Sequence, residues 1–321
     1  MDIIAMGRST VDLYANEIGP LEQARTFTKY VGGSPANTAV AMANLGLKVG
    51  YIGKVSDDGF GRFVRSYLKE KNVDVSHLLT DHTGKRCGVT IGEILENGRC
   101  GYFMYRNECA DLNMQCKELD EAYIAGAKAL LISGTSLTAS PAREAVFMAI
   151  EMAKQNKVSV ILDLDYRENT WSSIEEASVY YHLAACASDM VIATREEFDV
   201  MERLYLPENK DDKVSADYLL ERGVSLVSIK RGRGGSAVYE KGTVHKGGIY
   251  PVNALKTFGA GDAYSGGFHY GMLRGFSIED SLKYAAAAAS ITISGHSCSD
   301  STPTLAQVEA FMREHAYRRE A

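Results

Sequence analysis

Asp262 follows Gly259, Ala260 and Gly261 in the segment Lys256-Thr-Phe-Gly-Ala-Gly-Asp-Ala-Tyr-Ser-Gly-Gly-Phe268. Small residues ahead of a helix-period run predict a helix whose first amides lack intrahelical partners. A ligand can approach those amides closely, and the helix dipole favours negative charge there. Such a turn suits the charge that develops on a transferring phosphoryl group. Asp262 falls in the first turn, where its carboxylate can take the proton from an attacking hydroxyl. The plainer reading is an acid that only complements the dipole, beside glycines kept for packing.

Two further segments carry chemistry of the same kind. In Tyr30-Val-Gly-Gly-Ser-Pro-Ala-Asn-Thr-Ala-Val40, Gly32 and Gly33 let backbone come close to a ligand. Asn37, one turn into the following helix, offers both a donor and an acceptor. In Gly7-Arg-Ser-Thr-Val-Asp12, Asp12 follows the first strand and is expected at the carboxyl edge of a sheet, where open α/β folds bind ligands. A carboxylate there can accept hydrogen bonds from sugar hydroxyls. A surface-loop Asp12 and a solvated Asn37 are the bland alternatives.

The elements that must position these residues alternate in type. Ile3–Met6, Val49–Ile52, Ala129–Ile132, Val158–Leu162, Met190–Ala193 and Leu226–Ile229 are short apolar runs that read as buried strands. Helix-period stretches lie between them at 36–45, 59–71, 141–155, 173–187 and 212–222, and the last third is helical at 260–274, 278–293 and 304–314. This alternation predicts an α/β fold, a mostly parallel sheet with helices on both faces. Pro35 and Pro141 stand where helices begin. Segments 13–31 and 86–106 are strand-like instead, with an Asn97-Gly98 hairpin signal in the second. They predict a small β-sheet lid on a single domain spanning 1–321.

Composition narrows the classes. The 321 residues are 45% apolar and 24% charged, with a formal net charge of −6 and no basic stripe, which argues against nucleic-acid binding. Six cysteines show no CxxC pair and no zinc-ligand spacing with the histidines, so they read as reduced thiols. No membrane span and no signal segment are evident, and a cytoplasmic location is expected. Gly232-x-Gly-x-x-Ala237 mimics a dinucleotide fingerprint, but strand and turn follow it instead of a helix. No Gly-x-x-x-x-Gly-Lys-Ser/Thr string occurs.

Taken together, Gly32 to Gly46 and Gly259-Ala-Gly-Asp262 through Gly267 resemble the two signatures of the ribokinase (PfkB-type) carbohydrate kinases. The resemblance covers essentially the whole chain and implies a ribokinase-like fold that uses ATP and Mg2+. It implies Asp262 as general base, Gly259, Ala260 and Gly261 as anion hole, and Asp12, Gly32, Gly33 and Asn37 as sugar-binding residues. Glu197, in Thr194-Arg-Glu-Glu197, resembles the glutamate that organises the magnesium water shell. Many members have Asn where Thr194 stands. Lys230-Arg-Gly-Arg-Gly-Gly235 resembles the family's nucleotide segment, with Gly232 and Gly235 matching and Lys230 replacing a threonine. Lys256 replaces the Asp that usually opens the second signature, near a region often tied to a monovalent cation; that cation is left open. A homodimer through the lid is also implied.

A narrower likeness in Gly7–Tyr14, Tyr30–Pro35, Tyr105–Asp111, Asp163–Arg167 with Trp171, and His296–Asp300 points to kinases of sugar acids. Kinases of 2-keto-3-deoxygluconate and fructose share parts of it. Arg106 after a lid strand and Arg167 after a core strand are expected to grip the substrate carboxylate. The alternative is that each pairs with a local acid such as Asp111 or Asp165. A non-catalytic sugar-binding protein is the rival of another class, and the intact Gly-Ala-Gly-Asp turn speaks against it.

Overall fold

The computed structural model describes residues 1–95 and 100–319. Its strands, in chain order, are β1 (Ile3–Met6), β2 (Thr10–Ala15), β3 (Phe27–Gly32), β4 (Val49–Ser56), β5 (Leu78–Asp81), β6 (Val89–Ile94) and β7 (Cys100–Tyr105). Then follow β8 (Ala129–Ser133), β9 (Ser159–Asp163), β10 (Met190–Thr194), β11 (Leu226–Lys230), β12 (Ser236–Glu240) and β13 (Thr243–Gly247). The helices are α1 (Ser34–Asn44), α2 (Gly59–Glu70), α3 (Glu121–Ala125), α4 (Ala142–Gln155), α5 (Ile174–Cys186), α6 (Arg195–Glu202), α7 (Asp212–Leu220), α8 (Ala260–Leu273), α9 (Ile278–Ile293) and α10 (Leu305–Glu314). Among the described residues no helix is long and apolar enough to cross a membrane.

The main sheet runs β13-β12-β11-β10-β9-β8-β1-β4-β5. Neighbours from β11 to β5 are parallel, while β12 and β13 close one edge as an antiparallel hairpin. Alternate side chains of β1 serve opposite faces, as a pleated strand requires. Ile3 and Ala5 join a core built on α1, α2, α8, α9 and α10, whereas Ile4 and Met6 join a core built on α3 to α7. Helices thus cover both faces of a mostly parallel sheet. β12 follows the turn after β11 directly, which removes the helix that a dinucleotide fingerprint needs.

α8 packs closely on its neighbours because its glycines leave no side chain in the way. A Cβ at Gly266 would lie 2.6 Å from the Ala41 methyl of α1, and one at Gly267 would lie 2.7 Å from the Tyr284 carbonyl of α9. These two glycines of the signature therefore serve packing, and the packing fixes where the first turn of α8 points.

The second sheet runs β3-β2-β6-β7 and stands beside the carboxyl ends of the parallel strands. It takes in more of the chain than the expected 13–31 and 86–106, because β2 starts at Thr10. Asp12 accordingly lies inside a lid strand instead of a loop. Ile94 pairs with Cys100 in the antiparallel β6–β7 ladder; the Asn97-Gly98 hairpin signal lies outside the described residues.

Candidate active site

A cavity of about 400 Å3 opens between the two sheets. Its floor comes from the carboxyl ends of parallel strands: Arg8 beyond β1, Asp163, Asp165 and Arg167 at and beyond β9, Thr194 ending β10, and Lys230 ending β11. Its roof is the lid, through Asp12 and Tyr14 of β2, Thr90 of β6, and Tyr102 and Met104 of β7. The turns at Gly33–Asn37 and Thr257–Asp262 complete it. Parallel strands that all end at one edge gather distant residues here, as open α/β sheets do.

Asp262 sits half-buried in the first turn of α8. Gly259, at φ 76°, is the left-handed residue that opens the helix, and its missing Cβ would lie 2.9 Å from Cys298. Among the described residues the N–H groups of Gly261 and Asp262 find no acceptor, as expected of first-turn amides. Gly259 and Gly261 line the cavity; Ala260 does not. Ser34 Oγ donates to Asp262 Oδ1 at 2.7 Å and Asn37 Nδ2 to Oδ2 at 2.8 Å. Burial raises the Asp262 carboxyl above its ordinary range and Asp165 adds to this, while the Asn37 and Ser34 bonds and Arg167 oppose it. A carboxylate so placed is a stronger base than a free aspartate. Asn37, expected at the sugar, lines the cavity and also holds Asp262, and Ser34 is a partner that the sequence reasoning missed.

Asp12 is buried in β2 and accepts from Tyr14 Oη at 2.9 Å and Thr10 Oγ1 at 3.1 Å. Burial raises its carboxyl, with those bonds opposing. The Gly-Gly pair divides its work. A Cβ at Gly32 would fall 2.1 Å from the Asp12 carboxylate, so Gly32 makes room for Asp12 and does not line the cavity. Gly33 does line it, at φ 93°, with its absent Cβ 2.6 Å from the Arg8 carbonyl.

The expected arginine pair is re-formed with a different member. Arg106 is buried, donates to Asp111 Oδ2 from Nε at 3.0 Å, and reaches the Thr135 carbonyl at 2.9 Å. Its guanidinium does not line the cavity; the local-acid alternative holds, and Arg106 is corrected from substrate grip to brace. Arg8 lines the cavity beside Arg167. It donates to Asp165 Oδ2 at 3.2 Å, while Arg167 meets Asp165 Oδ1 at 2.6 Å. Both guanidinium groups face the cavity and share one carboxylate. Asp165 is held below its ordinary range: burial alone would raise it, but Arg167 and Arg8 outweigh that. It adopts φ 42°, a conformation that aspartate tolerates better than most residues.

At the far side, Lys230 Nζ pairs with Asp163 Oδ1 at 3.4 Å, and Ser265 Oγ donates to Asp163 Oδ2 at 2.8 Å. A Cβ at Gly261 would lie 3.6 Å from Lys230 Nζ, so the ammonium stands beside the open amides of α8. Burial raises the Asp163 carboxyl, with Lys230 opposing. Thr194 caps α6: Glu197 N donates to Thr194 Oγ1 at 3.3 Å, and Thr194 N to Glu197 Oε2 at 2.8 Å. Glu197 Oε1 accepts from Tyr166 N at 3.0 Å, which leaves each oxygen a second lone pair. Asp163 and Glu197 therefore present hard oxygen donors of the type magnesium takes. Gly232 and Gly235 lie outside the cavity, in the turn after β11. Gly235 is required by packing, since its Cβ would strike the Gly247 carbonyl at 2.2 Å. Tyr14, Tyr102 and Phe258 form an aromatic wall, with Phe258 5.8 Å from each of the other two rings; sequence reasoning gave these no role.

The pfkB family carbohydrate kinase model matches residues 1–305. The chain belongs to the pfkB family of carbohydrate kinases. It is 50% identical over 317 residues to the 5-dehydro-2-deoxygluconokinase of Geobacillus kaustophilus, covering 98% of this chain and 94% of that one. An uncharacterized sugar kinase from Pyrococcus horikoshii in complex with ATP matches with a TM-score of 0.81 and 27% identity over 97% of this chain and 99% of the other. A fructokinase with bound ATP from Xylella fastidiosa shares the fold at a TM-score of 0.88 and 23% identity, covering 98% of each chain. In this carbohydrate kinase the cavity holds both signature segments face to face, Ser34–Asn37 of the first against Asp262 of the second.

Proposed function

We propose that this carbohydrate kinase transfers the γ-phosphoryl group of ATP to the terminal hydroxyl of 5-dehydro-2-deoxy-D-gluconate, a step of myo-inositol breakdown. The observation that carries the substrate class is the Arg8–Arg167 pair. Among the described residues the two guanidinium groups share one carboxylate, Asp165, and both line the cavity, where a sugar carboxylate can accept from them. The 50% identity to a 5-dehydro-2-deoxygluconokinase supports the particular acid.

In this reading the sugar lies under the lid, with Asp12 accepting from its hydroxyls and the aromatic wall shielding its apolar edge. Asp262 takes the proton of the attacking hydroxyl as the oxygen–phosphorus bond forms and the bond to ADP breaks. The Gly259–Gly261 turn and Lys230 stabilise the charge on the phosphoryl oxygens. The nucleotide extends over Thr194 and the 232–235 turn. Asp163 and Glu197 would hold magnesium, Glu197 through water, and the ion would offset phosphate charge when bound with the nucleotide. In this reading the chain acts as a single domain whose small sheet is the lid, working in the cytoplasm, where ATP is supplied. The lid also supports a homodimer: Tyr102 and Met104 line the cavity, so Phe103 and Tyr105 alternate onto the outer face, where both are exposed.

The test is magnesium-ATP turnover against 5-dehydro-2-deoxygluconate, 2-keto-3-deoxygluconate, fructose and ribose. The expected result is a kcat/KM for the first sugar at least about tenfold above the others. Preference for fructose or ribose would discard the acid substrate.

A further inference from the structure

The segment leading into α8 contains a buried cation that phosphoryl transfer does not use directly. Lys256 has no exposed surface. Its Nζ donates to the carbonyl of Phe258 at 2.7 Å and to that of Thr292 at 3.3 Å. Among the described residues it makes no ion pair with a carboxylate, which is unusual for a buried lysine. Thr292 lies in the last turn of α9, where the helix dipole concentrates negative charge, and its carbonyl accepts from Gly295 N at 3.3 Å as well as from Lys256. The Leu255 and Lys256 amides donate to the neighbouring carbonyl of Ile293. Phe258 immediately precedes Gly259, the left-handed opening of α8. One ammonium therefore fastens the end of α9 to the turn that aims the amides of Gly261 and Asp262. Burial pushes its pKa down, and the nearby Asp262 carboxylate opposes this.

An apolar side chain would fill the same space without the cost of desolvating a charge. The carbonyls of Phe258 and Thr292 together make a seat for a positive charge, the kind of oxygen set that also suits a free monovalent ion. We propose that the Lys256 ammonium is a tethered monovalent cation, filling this seat permanently and making turnover independent of added monovalent salt. Lys256 is a positioning residue: it lies outside the cavity lining and acts through the 258–261 turn. This rests on the phosphotransfer reading above, since the turn matters only if it receives a phosphoryl group.

The experiment measures ADP formation by the full chain, by chromatography, at saturating magnesium-ATP and sugar. Ionic strength is fixed with choline, sodium, potassium or ammonium chloride. Wild-type kcat is expected to vary by less than about twofold across these salts. Lys256→Ala, with wild-type circular dichroism, is expected to lose about 100-fold in kcat in choline, the scale of a lost oxyanion-hole donor. It should regain about tenfold, saturably, with ammonium, potassium or propylammonium, the fragment that the substitution deletes. Several-fold activation of the wild type by potassium overturns the proposal. So does a folded Lys256→Ala that is fully active in choline, or one that no cation restores. If that variant does not fold, the wild-type salt series decides alone. A wild type that phosphorylates no sugar in any salt refutes the phosphotransfer reading, whereas an active wild type with an indifferent variant refutes only the tether.

Discussion

At Asp262 two influences oppose each other: burial and Asp165 raise the carboxyl, while bonds from Asn37 and Ser34 lower it. A base works only when unprotonated, and a raised folded pKa means that activity is present above that value and lost as pH falls through it. Asn37→Ala removes one bond that favours the carboxylate, so the acid limb of kcat/KM should move upward by about one unit, the scale of one hydrogen bond to a charged group. A pH profile checks this, and an unmoved limb would contradict it. The local pattern made Asp262, Gly259 and Gly261 legible in the sequence, because a helix N-terminus is built from neighbouring residues. The partners were not legible. Ser34 lies 228 positions away from Asp262, and only the packing of α1 on α8 reveals the contact. Arg106 and Arg8 were exchanged for the same reason, since a guanidinium in a strand-end loop carries no local sign of which acid it will meet.

At the scale of elements, Arg106 joins the end of β7 to the turn after β8 through Asp111, Thr135 and Thr138. Removing it leaves Asp111 buried without its counterion, which costs about 3–5 kcal/mol. Arg106→Ala should therefore lower the unfolding free energy markedly while the surviving folded enzyme keeps its KM for the acid substrate. Arg167→Ala should do the reverse, raising KM for the acid by about 100-fold with little change in melting temperature. Thermal melts and steady-state kinetics on both variants check the pair, and a KM effect confined to Arg106→Ala would contradict it. Six core strands and the helices flanking them were readable because buried parallel strands are near-continuous apolar runs. β5, α3 and α6 were missed. α3 spans only Glu121–Ala125 and carries little periodicity, whereas α6 had a usable signal in the Thr194-x-x-Glu197 capping box.

For the whole molecule, the exposed Phe103 and Tyr105 on the outer face of the lid make dimerisation the expected state. The double variant Phe103→Asp, Tyr105→Asp should sediment as a monomer where the wild type sediments as a dimer, and a monomeric wild type would contradict the lid interface. The lid was foreseeable from its alternating strands, but its enclosure of Asp12 was not, because strand pairing with Phe27–Gly32 is non-local. In the proposed mechanism all of these parts converge on one act, the removal of a hydroxyl proton by Asp262 as phosphate arrives at the open turn of α8. The direct measurement is kcat for Asp262→Asn beside wild type, with KM for the sugar and affinity for magnesium-ATP determined in parallel. A fall of about a thousandfold in kcat with both affinities nearly unchanged is the predicted result. Turnover within about tenfold of wild type would contradict the assignment of Asp262 as the base.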